Sequence, residues 1–355
     1  MRDNHTNNAP HGHPAGRQAE FAAWRATVSQ YRRPSFWRAS WQIATTLGGY
    51  ALVWYGMFLS LQVSWWLTVP LAALAGGLLV RIFIIFHDCG HGSYFGSKRA
   101  NSFWGFVCGV LTFTPYFRWR WQHARHHAGS GNLDRRGVGD IWTLTVQEYL
   151  DASRWRRFCY RVVRNPAVLF IVGPLVQLLI IERVPSRSGR ARERHSVWWV
   201  NLAILVMAVS LGSVFGWVNY LLIQLIIVLV AGSAGVWLFY IQHQFAGTYW
   251  ARGGDWNYVD AALQGSSYYK LPRVLQWFSG NIGFHHIHHL NPSIPNYYLE
   301  KCHRSNPLFQ EVHALTLRAS LKSLFYRLWD ESGQRLVSFY QLRELAAGSR
   351  DHGAA

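Results

Sequence analysis

The sequence predicts an all-α integral membrane protein: two transmembrane helical hairpins (four spans), re-entrant or interfacial helices, and a cytosolic helical cap. Three observations lead there. Half of the 355 residues are hydrophobic. These residues gather into runs that are long enough to span a bilayer and almost free of charge. The segments between the runs are rich in arginine, the mark of cytoplasmic loops under the positive-inside rule. The mean hydropathy of +0.00 does not oppose this, because basic loops offset the apolar runs.

The formal net charge is +18. Nucleic acid is a common partner of so basic a chain, but here the arginines lie between apolar segments, where anionic lipid is the natural neighbour. No nucleic-acid partner is expected. Cys89, Cys108, Cys159 and Cys302 are scattered without a CxxC pair, so neither a disulfide framework nor a thiolate metal site is indicated.

Residues 1–20 are polar, lack the apolar core of a signal peptide and read as a disordered tail containing His5, His11 and His13. Residues 21–40 read as a basic, amphipathic interfacial helix. Residues 41–309 are the expected membrane domain, and residues 310–355 a cytosolic helical tail. Within the membrane domain, 41–63 and 66–86 form the first hairpin, and 197–218 and 219–242 the second. Arg81 interrupts the second span near its end, where snorkelling to the interface is expected. Segments 103–117 and 166–181 are apolar but short, the latter broken by Pro174. A single crossing at 166–181 would place the five arginines of 183–194 outside, against the positive-inside rule. Both segments are therefore expected to be re-entrant or interfacial, with both termini cytoplasmic.

Three histidine clusters follow apolar segments: His87/His91, His123/His126/His127, and the run His285-His286-Ile287-His288-His289. Residues three and four apart share a helix face, so each cluster presents two or three imidazoles in one direction. Neutral imidazole is the commonest side-chain ligand for transition metals. Taking three from the last run, eight box histidines exceed the six positions of one octahedral ion, so two metals are implied. His243 leaves the last apolar run on the same side and is a ninth candidate. Zinc fits poorly, since it usually takes four ligands and has no redox chemistry. No HExxH motif is present, and the single ExxH match, Glu300 to His303, is one short of the soluble di-iron pattern.

The pattern HxxxH, HxxHH, HxxHH, with its spacing after apolar hairpins, resembles that of the membrane fatty acid desaturases. The contexts HDCGHGSYF, HARHHAGSGNLDRRGVGDIWTLTVQEY and GNIGFHHIHHLNPSIPNYYL are similar to bacterial acyl-lipid desaturases of the Δ12/ω-6 and Δ5 type. The resemblance covers roughly residues 40–300. It implies an O2-dependent oxidoreductase that puts a cis double bond into a fatty acyl lipid, in the bacterial inner membrane with its active site cytoplasmic. It further implies two non-haem iron ions held by His87, His91, His123, His126, His127, His243, His285, His288 and His289. A di-iron hydroxylase or carotenoid ketolase is the alternative, and a histidine-rich transporter a more distant one. The first box is one residue shorter than in stearoyl-CoA desaturases, which favours an acyl-lipid substrate. Front-end desaturases often begin box three with Gln, where this chain has His285. Position 239, an Asn that holds a metal-bound water in the stearoyl-CoA group, is Phe239 here. No cytochrome-b5-like HPGG motif is present, so electrons are expected from a separate donor such as ferredoxin or flavodoxin (or cytochrome b5).

Carboxylates usually orient metal-bound imidazoles. Asp88, Asp134, Asp140 and Asp255, with Asn281, are the candidates for that role. Phe113, Phe117, Trp119 and Trp121 are candidates to line an acyl channel. A helical wheel does not choose between 285/286/289 and 285/288/289 for box three. Repetition of the HxxHH spacing and the family pattern choose the latter, leaving His286 as a hydrogen-bonding neighbour.

Overall fold

The structure is a computed structural model that describes residues 24–186 and 189–342. The tail with His5, His11 and His13, and the end of the C-terminal segment, lie outside the described residues. The basic helix expected over 21–40 is two pieces. Residues 24–29 are helical, and a new helix, α1 (Phe36–Ser60), begins after Pro34. Proline disfavours helix in the residue before it, and Ser35 caps α1 by accepting a hydrogen bond from the Arg38 amide. Trp24 and Val28 are buried against protein, in a cluster with Ile287, Leu299 and Phe309, so this segment does not simply rest on lipid.

A short turn capped by Ser64 joins α1 to α2 (Trp65–His91), the central helix of the molecule. α2 ends at Gly92, whose φ of 73° lies in the left-handed region that glycine adopts without steric cost. Arg81 does not snorkel. It is buried, bonding the Thr46 hydroxyl and the Trp277 carbonyl, with its guanidinium 4.2 Å from the Trp277 ring centroid. The partners were unforeseeable because they lie 35 and 196 residues away.

Next comes α3 (Lys98–Leu111), then a tight reversal through Phe113 (φ 56°), then α4 (Tyr116–Gly129). At about 1.5 Å per residue, α3 is about 21 Å long, less than the ~30 Å of a bilayer core. The expected segment 103–117 is thus a helix, a reversal and the start of another helix. α5 (Val146–Asp151) and α6 (Arg154–Val163) precede the second short apolar segment. That segment is a π-helical turn followed by α7 (Gly173–Leu179) and a short 3-10 turn. Residues 154–163 and 168–183 together form a pair bent by 65°, the shape of a broken span or a re-entrant loop.

The second hairpin is α8 (Ala191–Phe215) and α9 (Trp217–His243), broken at Gly216 (φ 78°). α8 starts six residues before the expected 197, because Glu193 accepts the Arg190 amide and stabilises the first turn. Among the described residues three helices, α2, α8 and α9, are long and apolar enough to cross a membrane. α1 has comparable length but is more polar, with Thr45, Thr46, Gly48 and Gly49 near its middle. Helices α1, α3 and α9 pack on α2. Gly76 permits the closest approach to α9, since a Cβ there would sit 2.6 Å from Val230.

The segment after α9 carries α10 (Tyr258–Leu263), α11 (Arg273–Phe278), α12 (His285–Leu290) and α13 (Asn296–Arg304). The all-α expectation is corrected here, for among the described residues the mostly helical chain also forms two small sheets. β1 (Leu144–Thr145) runs parallel to β4 (Leu328–Asp330), which pairs antiparallel with β5 (Arg335–Val337). β2 (Tyr268–Lys270) runs parallel to β3 (Ala314–Thr316). The tail expected to be helical from 310 therefore supplies three strands. Strands β3 and β4 find parallel partners far back in the chain, so no local pattern announces them.

Candidate metal centre

Four helices bring the histidines together. His87 and His91 occupy the end of α2, and His123, His126 and His127 lie along α4. His243 is the last residue of α9, and His285, His288 and His289 lie on α12. Backbone hydrogen bonds from the Tyr269 amide to the Gly283 carbonyl and from the Ser267 amide to the Gln242 carbonyl bind these elements to one another. All nine converge, in two groups whose ligand atoms lie within 4.8 Å of one another. One holds His87, His91, His123, His127 and His288. The other holds His126, His243, His285 and His289.

Burial, with repulsion from neighbouring imidazoles, holds His123, His127, His285, His288 and His289 well below the usual histidine pKa. They are neutral at neutral pH, with lone pairs free to bind a cation. The geometry tests the fit further. His126 Nδ1 lies 2.5 Å from Asp140 Oδ1, and His243 Nδ1 lies 3.2 Å from the Gly265 carbonyl. Both neighbours are acceptors, so each imidazole carries its proton on Nδ1 and a bare lone pair on Nε2. Those two Nε2 atoms face each other at 3.2 Å, and His285 Nε2 is 3.1 Å from that of His243. Facing lone pairs repel unless a cation lies between them. In the other group, His127 Nε2 lies 3.1 Å from His123 Nε2 and 3.0 Å from His288 Nε2. Two nitrogens each about 2.1 Å from one octahedral ion would be about 3.0 Å apart, so this spacing suits a shared metal. Buried Nε2 atoms of His91 and His289 also lack hydrogen-bond partners. The residues present fit two bound metal ions.

The expected orienting residues separate sharply. Asp88 Oδ1 lies 2.9 Å from His87 Nδ1, and Asp140 bonds His126 as described. Asp134 instead bonds Arg252 and the Gly253 amide on the surface. Asp255 is exposed, its carbonyl accepting from the Tyr249 hydroxyl. Asn281 bonds Gln276 and the carbonyl of Asn296, one residue removed from Asp88. Asn296, Gly265 and Gln42 were missed from sequence. Nothing in their spacing marks them, because each acts through a partner distant in the chain.

Of the aromatic candidates, Trp119 meets the boxes. It stacks on His123 with ring centroids 4.3 Å apart and lies 5.6 Å from His87. Gly90 makes room for it, since a Cβ there would sit 2.7 Å from the indole. Phe117 lines a cavity of about 390 Å³ with Phe106, Tyr116, Arg192 and Trp199. Phe113 forms the α3–α4 reversal, and Trp121 pairs with Arg125 nearer the surface. Phe239 packs against both His126 and His243, so no polar ligand enters from that position. His286 lies outside both groups, with Nε2 3.1 Å from His303 Nδ1. His303, the end of the isolated ExxH match, likewise joins neither group.

Imidazoles gathered into two groups that could each hold a metal ion, beside helices long and apolar enough to cross a bilayer, mark the class of membrane-associated proteins with a candidate metal centre. A family model described as fatty acid desaturase matches residues 63–319, and the chain belongs to that family. It is similar to a fatty acid desaturase of Bacillus subtilis, with 46% identity over 318 residues covering 90% of each chain. It is also 26% identical to an sn-1 acyl-lipid omega-3 desaturase (ferredoxin) of Synechocystis, covering 75% of each. An sn-1 oleoyl-lipid 12-desaturase of Picosynechococcus is 26% identical, covering 74% of each.

Proposed function

We propose that this protein is an O2-dependent acyl-lipid desaturase whose nine convergent histidines hold two non-haem irons. The observation that carries the reading is the division of those histidines into groups of five and four. On octahedral ions this would leave about one and about two positions for other ligands, as oxygen chemistry requires. The chemistry supplied by two bound irons is activation of O2 and removal of two hydrogens from adjacent methylenes, leaving a cis double bond and water.

The protein's contribution is orientation and exclusion of water. Asp140 and the Gly265 carbonyl keep the protons of His126 and His243 on Nδ1, so both rings present Nε2 inward. Asp88 does the same for His87. Trp119 and Phe239 wall the two sides of the centre with apolar rings. A mid-chain methylene offers no polar handle, so its position must be set by the shape of an apolar path and by fixed ligands.

The substrate is an acyl chain of a membrane lipid, in keeping with the names of the cyanobacterial relatives. The topology is four spans, α1, α2, α8 and α9, with the bent segment re-entrant and both termini and the centre cytoplasmic. The positive-inside rule and the shared side of the histidines support this arrangement. Electrons come from a separate carrier such as ferredoxin, flavodoxin or cytochrome b5, and the basic cytoplasmic face suits an acidic partner.

The test is fatty acid profiling by mass spectrometry after co-expression with an electron donor in a host lacking the product. A new double bond, absent with His126→Ala, is expected. A hydroxylated or unchanged profile from iron-loaded protein would overturn the desaturase assignment.

A further inference from the structure

We propose that Asn296 is a positioning residue for the metal centre, holding Asp88 so that Asp88 can fix His87. The inference rests on the two-metal reading above. Asp88 is 1% exposed, and a buried carboxylate is tolerated only when its oxygens are satisfied. Oδ1 faces His87 Nδ1. Oδ2 accepts two hydrogen bonds from one residue: the Asn296 backbone amide at 2.6 Å and its side-chain Nδ2 at 2.9 Å. Asn296 is the first residue of α13, where the amide has no acceptor within the helix. Asp88 therefore caps α13 from another helix, placing a negative charge at its positive end. One carboxylate thus links α2, the first histidine box and the segment that follows the third.

The amide orientation is forced. Asn296 Oδ1 accepts from Gln42 Nε2 at 2.9 Å, while Gln42 Oε1 lies 3.1 Å from the Tyr94 hydroxyl. A flipped amide would turn its oxygen toward Asp88 and its NH2 toward the Gln42 donor. Asn281 adds a further hold, its Nδ2 donating to the Asn296 carbonyl at 3.2 Å. Asn296 is fully buried, and its four polar bonds reach α1, α2 and the turn before box three. Without the Nδ2 donor, Asp88 Oδ2 keeps one bond of two, and the carboxylate is free to turn away from His87.

The consequence is asymmetric. His87 belongs to the five-histidine group, so loss of Asn296 should weaken that metal and spare the other. The test uses full-length, iron-loaded protein in detergent or nanodiscs, with iron stoichiometry and Mössbauer spectra read before and after dialysis against a chelator. Asn296→Ala removes the Nδ2 donor and the acceptor for Gln42 while the backbone amide stays on Asp88; Asn296→Leu does the same at near-native volume. Expected is a roughly tenfold faster loss of one iron in both variants, with one spectral component fading first whatever the accompanying fall in the melting temperature of the metal-free protein. Equal retention of both irons in the two variants would overturn the proposal. So would simultaneous loss of both components, which marks a general structural role. A wild-type protein that holds no iron would instead overturn the two-metal reading on which the proposal stands.

Discussion

The two halves of the centre are built differently. The five-histidine half draws on all three boxes and is backed by Asp88, a buried carboxylate tied to α13. The four-histidine half takes one ligand from box two, two from box three and His243. It is backed by Asp140, whose side chain is 11% exposed and sits on the polar loop after α4. Asp140 Oδ2 accepts from the Gly137 amide only three residues away, a local turn instead of an interhelical tie. The same orienting chemistry is thus anchored by tertiary structure in one half and by local loop structure in the other.

The largest effect should come from the ligands themselves. His126→Ala and His288→Ala lie in different halves, yet each should abolish product in the fatty acid profile, because the proposed two-metal reaction needs both. Residual desaturation in either variant would break the symmetry of the two halves. Next should come Asp88→Asn and Asp140→Asn. Both should cost between about tenfold and 100-fold in turnover of purified protein. Asp88→Asn should be the more damaging, since it also removes the charge that caps α13; melting curves should fall for it and hold for Asp140→Asn.

His286→Ala should leave partial activity and unchanged iron content, because His286 bonds His303 and lies outside both groups. Loss of one iron in that variant would redraw the ligand set. A smaller effect concerns pH. Burial lowers the folded-state pKa of His286 from 6.5 to about 3. Between those values the unfolded chain binds a proton that the folded chain refuses, so stability falls as pH drops through this range. Above pH 6.5 the contribution is constant. Thermal melting of metal-free protein should fall less between pH 7.5 and pH 5 for His286→Ala than for the unsubstituted chain, and equal falls would argue against a neutral buried pair. The smallest effect should be that of Asp134→Asn. Its surface bonds to Arg252 and Gly253 lead away from the metals, and activity should stay within about twofold of wild type.

Asp134 and Asp140 show where sequence reading stops. Both are acids in the same polar loop, eleven and seventeen residues after His123, but opposite in use: one bonds Arg252 and the other His126. Their local sequences do not differ in any way that predicts this. The loop turns at Gly137 and Gly139, both at positive φ, and that path alone delivers Asp140 inward.

What the sequence by itself determined is the set of imidazoles, their faces and the long apolar helices, because helical spacing and hydrophobic run length act over a few neighbouring residues. Three boxes with histidines at i, i+3 or i+4 spacing leave few ways to satisfy so many buried nitrogens. Only the tertiary structure decided how nine histidines divide into five and four, since neighbours in one box go to different groups: His126 to one, His127 to the other. It also decided that Arg81 turns into the protein, that the tail forms strands with residues 144 and 268, and that Asn296 holds Asp88. Each depends on a contact across a large stretch of chain, where local periodicity carries no information and packing and hydrogen-bond satisfaction set the outcome.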